Sequence, residues 1–224
     1  MSTLCQQNNR RLERKVKIVC ISDTHEQHRK VKVPDGDLLI HAGDITNSGD
    51  PLATADFFFW LNSQPHKHKV VIAGNHDFFF DKARRNTPKH YYQNERVVID
   101  GLKIWASPIT PTYKKWAFMA DRGKEIKLWW DMIPDDTDIL ITHGPPAGKL
   151  DEALISRNHP SLGTKNEGCL QLADAVLRIK PKLHVFGHIH RGYGKLEQGG
   201  TIFVNASTCN ENYDAVNPPI VIDL

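Results

Sequence analysis

Five short apolar runs, each leading into a side chain that can ligate a metal, constrain this chain more than any other feature. Val16 to Ile21 runs into Asp23 and His25, Asp37 to Ile40 into Asp44, and Val70 to Ala73 into Asn75 and His76. Ile139 to Thr142 runs into His143, and Leu183 to Phe186 into His188 and His190. In open α/β sheets ligands bind beyond the carboxyl ends of the strands, so side chains just past five strand ends can converge on one crevice although they span most of the chain. Gly43, Gly74 and Gly187 directly precede Asp44, Asn75 and His188, where the backbone is expected to turn sharply off a strand. The economical reading is a polynuclear metal site.

The 224 residues are of a size for one α/β domain that buries roughly 70% of its unfolded surface. A net charge of +3 is too small to argue for nucleic acid. Much of the positive charge sits early, at Arg10, Arg11, Arg14, Lys15 and Lys17, beside the polar stretch 6–9, so residues 1–15 are read as a basic, disordered tail and 16–224 as the domain. No stretch reaches the ~18 apolar residues of a membrane span, and the N-terminus lacks the apolar segment of a secretory signal. Cys5, Cys20, Cys169 and Cys209 form no CxxC pair and are read as reduced thiols, which makes the expected compartment the cytoplasm. Asn205-Ala206-Ser207 matches a glycosylation sequon and is taken as a chance match.

Strand-like runs alternate with helical patterns, as in βαβ units. Asp50 and Pro51 start a helix that should stop before Pro65, a second helix is expected from about 122 to 132, and a third over 168–179. In the third, Cys169, Leu172, Ala173, Val176 and Leu177 follow helical spacing and are read as the face that covers a sheet. Residues 195–197 and 201–204 flank Gln198-Gly199-Gly200 as a hairpin, and 220–224 reads as a final strand. The irregular stretch Pro108 to Gly123 is a candidate rim loop.

The ligand types are carboxylate, amide and imidazole, with no thiolate. That set suits Mn²⁺, Fe or Zn²⁺ better than Ca²⁺ or Cu(I) and does not choose among the three, although Mn²⁺ is favoured for assay. Asp44, alone after its strand, can offer one oxygen to each of two ions about 3.5 to 4 Å apart. Two such ions would make hydroxide available near neutral pH, since even one Zn²⁺ lowers the pKa of water from 15.7 to roughly 7. His76 follows Asn75 and is the candidate general acid for the departing oxygen. Asn75, His76 and Arg191 are the expected substrate contacts.

Asp23-x-His25, Gly43-Asp44, Gly74-Asn75-His76-Asp77, His143 and Gly187-His188-x-His190, in that order, resemble the calcineurin-like metallophosphoesterases. The stretches DILITHGPPAG, LHVFGHIHRGYG and NPPIVIDL are similar, more narrowly, to the metallophosphoesterase-domain-containing subfamily. The resemblance implies a four-layer α/β/β/α sandwich of two mixed sheets flanked by helices, and a dinuclear metal hydrolase. It also implies that one ion takes Asp23, His25, Asp44 and His190 and the other Asp44, Asn75, His143 and His188. The protein-phosphatase branch of the family continues its second block as Gly-Asp-x-x-Asp-Arg-Gly, whereas Asn47 and Ser48 stand here. Without that arginine a phosphomonoester dianion loses a bidentate clamp that a diester needs less. The expected substrate is therefore a small phosphodiester such as a cyclic nucleotide, with no membrane or specific nucleic-acid partner. The alternatives are a phosphomonoesterase, or a nucleotide-binding module with residual hydrolysis.

Among the remaining histidines, His66 and His68 are read as loop surface, His41 and His184 as packing residues within strands, and His28 and His90 as carrying no motif. His159 is a weaker candidate for facing substrate. Trp116, Phe118 and Tyr193 are read as core or rim, with base stacking the sharper alternative.

Overall fold

The computed structural model describes residues 15–82 and 87–224. The basic tail therefore lies outside the described residues except for Lys15. The chain begins with β1 (Lys17–Ile21), β2 (Leu38–His41), α1 (Pro51–Ser63), β3 (His68–Val71) and α2 (Phe78–Lys82). It continues through β4 (Glu95–Ile99), β5 (Leu102–Ser107), the short β6 (Thr110–Pro111) and β7 (Met119–Ala120), α3 (Lys124–Asp131) and β8 (Ile139–Thr142). The last elements are β9 (Glu152–Leu154), β10 (Thr164–Asn166), α4 (Leu170–Ile179), β11 (Leu183–Phe186), β12 (Gly194–Gln198), β13 (Thr201–Asn205) and β14 (Ile220–Asp223).

Two mixed sheets result. One has the order β14-β1-β2-β3, with β14 antiparallel at its edge, and the other β12-β13-β11-β8-β5-β4, with an antiparallel strand at each edge. The period-2 alternation of strand side chains sorts the apolar residues into two layers. Ile18, Cys20, Leu38, Ile40 and Val70 of the first sheet cluster with Ile104, Ile139, Ile141, Leu183 and Val185 of the second, which makes the core between the sheets. Val19, Leu39, Val71, Leu140, Phe186 and Phe203 point the other way and meet the buried faces of α1, α3 and α4. Strands covered on both faces read as continuous apolar runs, which is why the runs in the sequence are uninterrupted.

Local signals act as their chemistry requires. The Asp50 carboxylate caps α1 by accepting from the Leu52 and Ala53 N–H groups, both at 2.8 Å, an arrangement typically worth about 1 kcal/mol. Gly199 and Gly200, with φ of 62° and 83°, form the turn between β12 and β13. The expected covering face of α4 needs correction. Cys169, Leu172 and Val176 are buried, but Ala175 and Ile179 complete the stripe, while Ala173 is only partly covered and Leu177 is 71% exposed. Only the i+4 and i+8 positions are misplaced, on a helix whose apolar residues extend past the buried face. His66 is also not surface: it is buried, with Nε2 hydrogen-bonded to the Pro34 carbonyl at 3.0 Å, and His68 opens β3 and pairs with Asp100. The Asn205 side chain is buried and donates to the Ile189 carbonyl at 2.8 Å, so the sequon has no exposed amide.

Candidate metal centre

All five predicted blocks arrive at one end of the two sheets. Asp23 and His25 follow β1, Asp44 follows β2 and Asn75 and His76 follow β3, while His143 follows β8 and His188 and His190 follow β11. Asp23, His25, Asp44 and His188 all have positive φ, between 41° and 67°. Aspartate and histidine tolerate this left-handed region better than most residues, and strain of this kind concentrates at functional sites. The glycines play a different part from the one expected at two positions. Gly74 and Gly187 do not have positive φ; a Cβ on Gly74 would collide with Asp44 Oδ1, and one on Gly187 with Asp23 Oδ2 and Ser22 Oγ. They are required for close approach of backbone to carboxylate. Gly43, with φ of 98°, is the one that turns the chain as expected.

The potential ligand atoms fall into three overlapping groups, each with its members within 4.8 Å of one another: Asp23, His25 and His190; His25, Asp44 and His76; and Asp44, His143 and His188. Asp44 is shared, with Oδ1 3.3 Å from His143 Nε2 and Oδ2 3.8 Å from His25 Nε2. Asn75 Oδ1 joins the third group, 3.0 Å from His143 Nε2. Asp23 Oδ1 lies 3.4 Å from His190 Nε2, which in turn lies 3.4 Å from His25 Nε2. Donors bound about 2.0 to 2.2 Å from a common ion stand close to these separations when adjacent.

Hydrogen bonds behind the imidazoles fix which nitrogen faces inward. His143 Nδ1 donates to the Ala42 carbonyl at 2.9 Å, His190 Nδ1 to the Asn210 carbonyl at 2.8 Å and His76 Nδ1 to the Asn47 carbonyl at 2.7 Å. A carbonyl can only accept, so each Nε2 is left for the site, the usual support of a metal-binding histidine. His143 Nε2 consequently faces two oxygens, of Asp44 and Asn75, that its lone pair would repel. Burial opposes charge on this ring, but the Asp44 carboxylate, with help from Asp23, raises it to about 9. A cation would meet the same need as that proton. Burial also pushes His25 down to about 4 and His188 to about 3, leaving the neutral rings that ligation requires. Burial disfavours the charged forms of Asp23 and Asp44 as well, yet His190 beside Asp23 and His143 beside Asp44 hold both carboxyls well below the ordinary range. The donor set thus fits two divalent cations sharing Asp44.

Residues with no ligand signature hold this arrangement. Asp77 is fully buried and accepts from the Gly74, Ile45 and Thr46 N–H groups and the Thr46 hydroxyl, tying the loop after β2 to the loop after β3. Burial, followed by the charge of Asp44, raises its carboxyl to about 6. Ser207, just past β13, donates to Asp23 Oδ2 at 2.9 Å, and the His188 N–H donates to the same carboxylate at 3.0 Å. His41 and His184 pack as expected, bonded to Thr24 and Thr142. His28 is buried and bonded to Asp56.

A cleft of about 660 Å³ opens over the cluster, with Asp44, Asn75, His76 and His188 at its floor and parts of the 108–123 rim at its side. Trp116 lies on that rim with its ring 4.2 Å from that of His76, and the Ala117 N–H donates to the Asn75 carbonyl at 3.1 Å. Phe118 is core, and the Tyr193 hydroxyl is engaged in donating to the Pro218 carbonyl. Arg191 reaches the cleft but pairs with Glu152 and Glu211, so its guanidinium is already engaged. His159 does not line the cleft, although Asn158 does. Tyr213, not anticipated from the sequence, stands edge-on to His25 and His190 with centroids 4.7 and 5.3 Å away.

Comparison with known proteins adds the following. A family model described as calcineurin-like phosphoesterase matches residues 16–192. Metallophosphoesterase domain-containing protein 1 of Homo sapiens is 40% identical over 237 aligned positions, covering 93% of this chain and 71% of that protein, and the Mus musculus protein gives the same figures. Among solved structures, the phosphopantetheinyl hydrolase of Mycobacterium tuberculosis superposes with a TM-score of 0.55 at 13% identity, over 89% of this chain and 91% of that one, which is a likeness of fold alone.

Proposed function

Since the chain belongs to the calcineurin-like phosphoesterase family, a family of metal-dependent phosphoesterases, we propose that its site hydrolyses small phosphodiesters, with cyclic nucleotides as the leading class. The observation that carries the metal chemistry is the division of Asp44, one oxygen toward His143 and the other toward His25. In this assignment Asp23, His25, Asp44 and His190 hold one ion, and Asp44, Asn75, His143 and His188 the other. When bound, such a pair supplies Lewis acidity for the phosphoryl oxygens and acidifies water enough to give a nucleophile near neutral pH.

The protein's own groups do the rest. His76 keeps its Nδ1 proton on the Asn47 carbonyl, so as an acid it acts in the imidazolium form and delivers the Nε2 proton to the leaving oxygen. Trp116 against one side of the ring limits its tilt. The diester preference rests on the sequence at Asn47 and Ser48, where the arginine clamp of the protein-phosphatase branch is missing, and it is supported by the engagement of Arg191 with two glutamates. The buried, unpaired thiols Cys20, Cys169 and Cys209 support a reducing compartment such as the cytoplasm, and among the described residues no helix is long and apolar enough to cross a membrane.

Chelator-stripped protein is expected to be inactive and to recover on addition of Mn²⁺. With nitrophenol as the common leaving group, the diester is expected to show the higher kcat/KM. Full activity without metal would sink the mechanism, and a clear monoester preference with Mn²⁺, Zn²⁺ and Fe alike would replace the diesterase by a monoesterase.

A further inference from the structure

Lys114, Arg122, Arg157, Lys165 and Arg191 line the cleft. Three of these cations have carboxylate partners: Arg122 and Lys165 share Glu167, and Arg191 is held by Glu152 and Glu211. Arg157 and Lys114 have no carboxylate partner among the described residues. The two differ in how they are held. Lys114 lies over its neighbour Tyr113, with Nζ 5.1 Å from the ring centroid. Arg157 comes from a different part of the chain from the ring that supports it: its Cζ is 4.5 Å from the centroid of Tyr213, and its Nη2 donates to the Tyr213 hydroxyl at 3.2 Å.

Tyr213 is itself fixed. Its φ is 64°, its carbonyl accepts from Gln27 Nε2 at 2.6 Å, and its ring abuts His25 and His190. A guanidinium is therefore presented to the cleft one ring beyond the metal ligands, with the tyrosine between. That ring sets Arg157 apart from the scissile phosphate and leaves it facing whatever the same substrate carries farther out. A planar guanidinium with N–H groups free of carboxylate is a bidentate receptor for phosphate, and stacking on an aromatic ring fixes its plane in advance.

We propose that Arg157, carried on Tyr213, binds a second phosphate of the substrate, so that the preferred diesters bear a terminal phosphate about one sugar unit from the scissile group; this rests on the reading of the cleft as a phosphodiesterase site. Equilibrium binding separates the subsite from turnover. Calorimetric titration of Mn²⁺-loaded protein with adenosine 3′,5′-bisphosphate and adenosine 3′-monophosphate is expected to show the bisphosphate binding tighter by about tenfold or more, the scale of one charge-assisted contact. Arg157→Ala should shrink that ratio to about twofold or less, and Arg157→Lys should keep part of it. Lys114→Ala removes the same charge from the other unpaired position and should shrink the ratio far less.

A wild-type ratio near one would overturn the subsite. So would equal shrinkage in Arg157→Ala and Lys114→Ala, which would make the preference a general field effect. If Arg157 only pins its loop to Tyr213, Arg157→Ala weakens both ligands alike and the ratio survives, which also overturns the proposal. Failure of the diesterase reading registers separately, as monoester preference in the nitrophenyl assay.

Discussion

Asp44→Asn is expected to lower kcat/KM by about 100-fold or more and to reduce bound metal from two ions per chain toward one or none. The reasoning is comparative: losing a group that merely supports a metal ligand typically costs 10- to 100-fold, and in the proposed assignment Asp44 would contact both ions directly. Asparagine keeps the shape and can still accept the His76 N–H, which lies 2.9 Å from Asp44 Oδ1, so the loop should stay in place. What disappears is the charge shared by the two ligand groups. Elemental analysis of the purified variant beside its steady-state kinetics tests this, and near-normal occupancy with near-normal turnover would show that Asp44 does not bridge.

His76→Ala is expected to slow hydrolysis of a cyclic nucleotide by about 10² to 10⁴, the usual range for a general acid, while scarcely slowing a bis-nitrophenyl diester. A ribose alkoxide needs a proton to leave. Nitrophenolate is stable near neutral pH and hardly needs one. Metal content should stay nearly unchanged, because Asn75, His143 and His188 remain. The structure makes this second readout decisive, since His76 Nε2 lies 3.9 Å from Asp44 Oδ2 and stands in one group with His25 and Asp44. Loss of an ion in His76→Ala would make His76 a ligand rather than an acid. Equal slowing of both substrates with both ions retained would give it a charge-stabilising or positioning role.

The ligand-bearing strand ends were legible in the sequence for a physical reason. A strand covered on both faces has no polar face to dilute its signal, so each run is uninterrupted, and the ligand-type residues follow within a few positions of its end although they too are buried. The four layers themselves came from resemblance, because a continuous apolar run does not say which side faces which layer. What stayed hidden was carried by groups without a residue signature. The carbonyls of Ala42, Asn47 and Asn210 aim three imidazoles, and any residue there offers the same oxygen. Ser207 looked like part of a sequon and Tyr213 carried no motif, yet the chain after β13 brings Ser207 beside Asp23 and Tyr213 beside His25. The misjudged face of α4 and the burial of His66 share another cause: short-range spacing cannot tell which neighbour an element will meet.

Each proposed ion draws donors from both sheets, and this changes how substitutions far from the cleft should be understood. Sheet one brings Asp23, His25, Asp44 and Asn75, sheet two brings His143, His188 and His190, and the apolar layer that includes Ile18, Ile40, Ile141 and Val185 sets the spacing of the sheets beneath the hydrogen bonds that tie the loops together. Close-packed interiors transmit changes of even a single methylene. Enlarging or trimming a side chain in that layer therefore acts as a spacer adjustment on the metal pair, and such variants can alter metal selectivity while every ligand remains in the sequence.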